Sequence, residues 1–270
     1  MNIFEYWGIK HLSPSAINLY IADPLQYILR YLVKIKTPGG PAMWRGSAVD
    51  NAVGSFYGLH HEEFKARSLS QCQTDALKSM EEYLKQHKSD GFDTDDKFLD
   101  KWQQEKTLVP AYIRTAIDHY NQFDKADTYQ EKVMYEVKGL PIPIVGFLDL
   151  KYEKDGVVRD IKTSGRKVSE LSYSVSRQLA LYGQCTGLTP LADYIVCNKS
   201  SSSVVTLEVK DVKGSLDELE RGALAIMKLL SISDDINDLT SLFYPNFDDF
   251  TWSDMRDDKD VKSLFKGEIK

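Results

Sequence analysis

Cysteine is scarce in this 270-residue chain, and the three present, Cys72, Cys185 and Cys197, stand far apart. None forms a C-x-x-C pair, so the spacing suggests neither a thiolate zinc site nor a cysteine-ligated cluster. An odd, dispersed set predicts a reducing compartment such as the cytoplasm. No run of about 18 apolar residues occurs, so no transmembrane helix is expected. The opening Met1-Asn-Ile-Phe-Glu-Tyr-Trp7 lacks the basic start and apolar stretch of a secretory signal. Internal repeats and low-complexity tracts are missing as well. Nor is there an excess of positive charge, since 34 Lys and Arg face 40 Asp and Glu for a net charge of −6. That balance argues against a general polyanion binder, although an enzyme needs only a local basic track. Acidic residues gather at Asp90 to Asp100 and Asp248 to Asp260, leaving the remainder less acidic.

What is present is the make-up of a soluble globular protein, with 42% hydrophobic and 27% charged residues. Ser13-Pro14 and Asp23-Pro24 each read as an N-cap followed by proline at the first helical position. They predict helices over about 14–22 and 24–33, before a Thr37-Pro-Gly-Gly-Pro41 loop. A third helix is predicted over about 45–58. Its apolar stripe of Val53 and Tyr57 carries an unexpected acid, Asp50. Residues 62–128 read as helical, interrupted at Gly91-Phe-Asp-Thr94. From Lys132 the period shifts towards two, predicting strands over 132–138, 142–153, 157–163, 192–198 and 203–209. Helices over about 168–185, closed by Gly187, and 215–231 complete an α/β pattern with a mixed sheet. The aromatics Phe243, Tyr244, Phe247, Phe250 and Trp252 predict that the acidic tail docks on the body.

The segment Gly146 to Ser164 holds the most chemistry. Asp155-Gly156 between alternating runs predicts a two-residue hairpin turn. That register sets Lys151 opposite Asp160 and Asp149 opposite Lys162. Asp149, Asp160 and Lys162 then share one face, with Leu148, Leu150, Ile161 and Thr163 on the other. Two carboxylates and an ammonium on one patch suit a Mg²⁺ or Mn²⁺ site with a lysine beside it. A solvated, charged sheet face with mutually stabilising Asp and Lys fits the same pattern. His11, His60 and His61 are potential ligands, but nothing at metal spacing accompanies them.

Asp149 followed by Asp160-Ile161-Lys162 resembles the D…(D/E)-x-K core of the PD-(D/E)XK nuclease superfamily. Four further stretches resemble its RecB-like branch, which includes phage exonucleases. Leu12-Ser-Pro-Ser-Ala-Ile-Asn-Leu-Tyr-Ile-Ala-Asp-Pro-Leu-Gln-Tyr27 is similar to the branch's S-x-S…Y…C-P…F/Y opening. Arg45-Gly-Ser-Ala-Val-Asp50 is similar to its R-G-x-x-x-H helix. Gly146-Phe-Leu-Asp149 and Gln178-Leu-Ala-Leu-Tyr182 are similar to its G-x-x-D and Q-x-x-x-Y motifs.

The resemblance implies a restriction-endonuclease-like core: a central mixed sheet flanked by helices, in one domain spanning 1–270. Residues about 60–130 would be a helical insertion and about 233–270 a tail. It implies a metal-dependent DNA nuclease, an exonuclease in recombination, repair or phage DNA metabolism, with DNA and a recombination or single-strand-binding protein as partners and no membrane. Asp149, Asp160 and the Ile161 carbonyl would hold Mg²⁺ or Mn²⁺, and Asp50 replaces a histidine that resembles a third ligand. Lys162 would position water and stabilise charge, as two adjacent carboxylates favour its protonated form. Gln178 would orient the lysine or a phosphate, and Tyr182 would support the site. Arg45, Arg166, Lys167 and Arg177 flank the site in sequence and are candidate phosphate contacts. Many relatives carry an iron–sulfur cluster on four cysteines, but here the N-terminal position is Asp23 and the tail has no cysteine, so no cluster is expected. A non-catalytic DNA-binding or scaffold subunit with the nuclease fold is the alternative reading.

Overall fold

The computed structural model describes residues 2–35, 39–59, 65–249, 252, 261, 264 and 265. His60, His61 and part of the expected 37–41 loop lie outside the described residues, as does Phe250. The chain divides into two compact units. One comprises Met1–Pro38, Met134–Gly146 and Lys213–Lys270, the other Gly39–Val133 and Phe147–Val212. Among the described residues no helix is long and apolar enough to cross a membrane.

The first unit opens with α1 (Ile3–Tyr6), α2 (Pro14–Ala22) and α3 (Pro24–Ile28). The two Ser/Asp-Pro starts act as the sequence predicts. The Ser13 hydroxyl accepts the Ala16 N–H at 3.1 Å, and Asp23 Oδ1 accepts those of Leu25 and Gln26 at 3.0 and 3.1 Å. The helix expected over 24–33 does not stay α-helical. It widens into a π-turn over Leu29–Val33 and closes on Lys34, a left-handed residue at φ 67°. Later come α8 (Val212–Leu230) and α9 (Ile236–Ser241). Gly222 lets α8 approach α2, because a Cβ there would lie 2.6 Å from Ile17 Cγ2. The tail docks within this unit: Trp252 is 1% exposed and packs with Leu25 and Leu29, flanked by Phe243 and Phe247. Its indole N–H donates to Asp23 Oδ2 at 2.8 Å. Tyr244, by contrast, is exposed.

The second unit contains α4 (Pro41–Tyr57), α5 (Leu69–Ser89) and α6 (Asp96–Tyr120). Helix α4 begins four residues before the expected start, since Pro41 takes the first helical position. Ser68 and Asp95 cap α5 and α6, and the break falls at the predicted Gly91 region. Five strands follow: β1 (Thr128–Tyr135), β2 (Ile144–Tyr152), β3 (Val157–Ser164), β4 (Thr189–Cys197) and β5 (Ser202–Glu208), with α7 (Tyr173–Thr186) between β3 and β4. They lie in the order β1-β2-β3-β4-β5. The β2–β3 and β4–β5 pairs are antiparallel and β3–β4 is parallel, as a helical crossover requires. This is the expected α/β architecture, a mixed sheet flanked by helices. Val49, Val53, Ile113 and Ala116 of α4 and α6 form one core with Leu150, Ile161 and Ile195 of the sheet.

The hairpin register differs from the one expected. Tyr152 pairs with Val157 and Leu150 with Arg159, so the loop spans four residues, Glu153 to Gly156, rather than two. Gly156 has positive φ but Asp155 does not, so the type I′ turn is not formed. The Gly156 N–H instead bonds the Glu153 carbonyl at 3.1 Å. The ladder is displaced by two residues. Because side chains alternate with period two, this even displacement leaves each of them on its predicted face.

Candidate active site

The β2–β3 ladder ends at the Leu150–Arg159 pair, and beyond it the Asp149 carboxylate takes the place of a strand partner. Asp149 Oδ2 accepts the Ile161 N–H at 2.7 Å. Asp160, 1% exposed, lies one residue before Ile161, and Lys162 one after. Lys162 Nζ is 2.5 Å from Asp160 Oδ2. Gln178 on α7 ties this pair to the helix. Its Oε1 accepts from Lys162 at 3.4 Å, while its Nε2 donates to Asp160 Oδ1 at 3.4 Å and to the Tyr182 hydroxyl at 2.8 Å. A side-chain amide offers an acceptor to the ammonium and donors to the carboxylate from one group. Gln178 and Tyr182 are one helical turn apart, so α7 presents both together. Tyr182 is 3% exposed. Burial, followed by the Asp160 charge, keeps its phenol protonated well above the ordinary tyrosine range.

Asp50 reaches the same group from α4, through a residue that the sequence pattern does not single out. Gln130 Nε2 donates to Asp149 Oδ1 at 2.8 Å and to Asp50 Oδ2 at 3.1 Å. The neighbouring Tyr129 hydroxyl donates to the Asp50 backbone carbonyl at 3.2 Å. Gln130 has φ 52°, and Lys34 is the other described non-glycine residue with positive φ. That kink interrupts the alternation, so the period-two pattern of β1 reads only from 132 and leaves Gln130 out.

The electrostatics follow from burial of like charges. Burial pushes the Asp149 carboxyl well above the usual carboxylate range, and the Asp160 and Asp50 charges push it further. Burial alone would lower the Lys162 ammonium, but the Asp160 and Asp149 charges override it, and its pKa lies above the ordinary lysine value. These two carboxylates thus favour the protonated form of Lys162.

The donor set is the hard-oxygen kind that Mg²⁺ or Mn²⁺ prefers. Asp50, Asp149 and Asp160 carry carboxylate oxygens of that kind. Among the described residues no three such groups already converge as a ready cage. The Gln130 amide stands between two of them.

The four basic candidates separate. Arg45 is 5% exposed. Its guanidinium bonds Glu105, donates to Thr163 Oγ1 at 3.2 Å and to the Thr163 carbonyl at 3.3 Å, and lies over the Tyr112 ring. It is an internal anchor holding α4 and α6 to the end of β3, which corrects its reading as a phosphate contact. Arg177 is buried as well, at 9% exposure. Arg166 and Lys167 are exposed, on the segment that leaves β3. Phe147, two residues before Asp149 on β2, is 51% exposed. His11 is exposed on the first unit. The three cysteines form no disulfide among the described residues and lie on α5, α7 and β4.

Curated proteins give no match. A solved structure described as the crystal structure of SSO0001 is similar at 15% identity, over 75% of this chain and 95% of that one, with a TM-score of 0.31. The family model of the PD-(D/E)XK nuclease superfamily matches residues 11–219, and the chain belongs to that superfamily.

Proposed function

We propose that this protein is a divalent-metal-dependent deoxyribonuclease of the RecB-like branch, acting as an exonuclease in recombination, repair or phage DNA metabolism. The observation that carries the reading is the Asp149, Asp160, Lys162 and Gln178 cluster, joined by hydrogen bonds and an ion pair around the parting of β2 and β3. Asp50, Asp149 and Asp160 would hold Mg²⁺ or Mn²⁺. When bound, the ion supplies an activated water and neutralises charge on the scissile phosphate. Lys162 stabilises the negative charge that develops on the phosphoryl oxygens. Gln178 keeps the ammonium at its station, and Tyr182 fixes the amide. The exposed Arg166 and Lys167 would contact the phosphate backbone, and the exposed Phe147 would stack on a base. The reading also carries DNA ends or single strands as substrate, a recombination or single-strand-binding protein as partner, and a cytoplasmic site of action.

The test is cleavage of end-labelled linear and closed circular DNA, single- and double-stranded, with Mg²⁺, Mn²⁺ or EDTA. Degradation from ends that requires the ion supports the reading. Nicking of closed circles would replace exonuclease with endonuclease, and DNA binding without cleavage in any condition would favour the scaffold alternative.

A further inference from the structure

The Gln130 amide occupies a position that nothing in the catalytic reading explains. One nitrogen lies within 3.1 Å of both the Asp50 and Asp149 carboxylates, and both its hydrogens are engaged. The opposite amide orientation would aim an oxygen at two anions. The backbone holds the side chain there at φ 52°, a conformation that a glutamine adopts at a cost. Asp50 comes from α4 and Asp149 from β2, so this shared donor bridges the two elements at the site.

We infer that Gln130 is a placeholder for the cation, a positioning residue that keeps Asp50 and Asp149 together in the cation-free protein and yields when the ion enters. This rests on the proposed metal-dependent reading. The residue type suits the task. A lysine would place a permanent charge in the site and exclude the ion. A glutamate would place a third carboxylate against Asp50 and Asp149. An amide satisfies both carboxylates without net charge, so it is strong enough to hold them and weak enough to be displaced. Mg²⁺ prefers the same carboxylate oxygens that now accept from the Gln130 nitrogen, so ion and amide would compete for them.

The test uses the full chain, with Mn²⁺ alone as the probe. Mn²⁺ affinity is read by calorimetry and thermal midpoints are read with and without the ion, for wild type, Gln130→Ala and the length-preserving Gln130→Met. The expected result is Mn²⁺ binding about tenfold tighter in both variants, because no amide must be displaced. The cation-free midpoint should fall by about 4 °C, while the loaded midpoint matches wild type. Weaker or unchanged Mn²⁺ affinity would overturn the inference, the weaker case making Gln130 a ligand. An equal loss of midpoint in both states would overturn it in favour of a purely structural strand residue. Failure of the wild type to bind Mn²⁺ at all is a separate signature, and would sink the metal-site reading together with the placeholder.

Discussion

The Asp149 carboxylate accepts the backbone N–H of Ile161 at 2.7 Å, next to the last paired residues of the β2–β3 ladder. One side chain thus does a strand carbonyl's work, and its other oxygen takes the Gln130 amide. Its two contributions separate on substitution. Asp149→Asn retains an oxygen for the Ile161 N–H but removes a charge that burial and two neighbouring carboxylates oppose. Mn²⁺-dependent DNA cleavage should fall by about 10³-fold or more, whereas the cation-free thermal midpoint should fall less than in Asp149→Ala, since the relieved charge offsets the lost Gln130 contact. Asp149→Ala should lose both activity and stability. Rate and midpoint measured on the same two proteins check this.

Lys162 is expected to act as a cation throughout. Its pKa lies above the ordinary lysine value, so the stabilisation it draws from Asp160 and Asp149 is complete below the unfolded lysine pKa. It is lost only as pH rises through the higher folded value. The pH–rate profile should therefore show no loss of activity from Lys162 deprotonation below about pH 10. Lys162→Met should lower kcat by about 10²- to 10³-fold with little change in KM, as loss of a charge-stabilising donor does. A KM effect of that size with kcat intact would assign Lys162 to substrate binding instead.

Much of this site is legible in the sequence because it rests on short-range periodicities. The D…D-x-K spacing survives an error of two in the hairpin register, since faces repeat every two residues. Gln178 and Tyr182 are neighbours on any helix. What escapes a reading of the sequence depends on contacts distant along the chain or on backbone conformation. Gln130 is 80 residues from Asp50 and sits at a positive φ that no glutamine advertises. The same applies to Arg45, whose partners Glu105 and Thr163 lie 60 and 118 residues away. Proximity to a motif suggests a phosphate ligand, whereas burial makes it an anchor.

Arg45→Ala should act on stability. It leaves the buried Glu105 with Lys101 as its remaining cationic partner, where Lys101 and Arg45 together outweigh burial and hold the carboxyl below the usual range. Breaking a buried pair costs about 3–5 kcal/mol. Denaturant unfolding should show that loss, and the salt dependence of DNA binding should keep its wild-type slope. Arg166→Ala and Lys167→Ala should do the reverse, each reducing the salt slope by about one with little change in stability.

A second buried network predicts acid sensitivity. Asp193 on β4 is fully buried, with Arg159 on both carboxylate oxygens, Thr206 and Tyr120 as hydrogen-bond donors, and His119 at 3.5 Å. Burial opposes ionisation, but His119, Arg159 and Thr206 outweigh it, and the pKa is depressed. A carboxylate with depressed folded pKa stabilises above its unfolded value, about 3.9, and loses that contribution as pH falls through the folded value. The midpoint should therefore drop steeply below about pH 4. Asp193→Asn should be less stable at pH 7 and show a shallower fall in acid, measured as midpoint against pH.

The Asp23–Trp252 hydrogen bond makes the last prediction. Asp23 stands where the resembling branch carries a cluster cysteine. It uses one oxygen to cap α3 and the other to accept the Trp252 indole N–H at 2.8 Å. The aromatic tail thus pins the start of α3 by packing and a hydrogen bond. Trp252→Ala should cost about 3–5 kcal/mol, since it empties a fully buried site among Leu25, Leu29 and Phe247. Trp252→Phe should cost less, keeping most of the apolar contact and losing the donor. Asp23→Asn, which retains an oxygen for the cap, should resemble Trp252→Phe rather than Trp252→Ala. Truncation after Ser233 should lower the midpoint at least as far as Trp252→Ala, and an unchanged midpoint would show that the tail does not act as a staple.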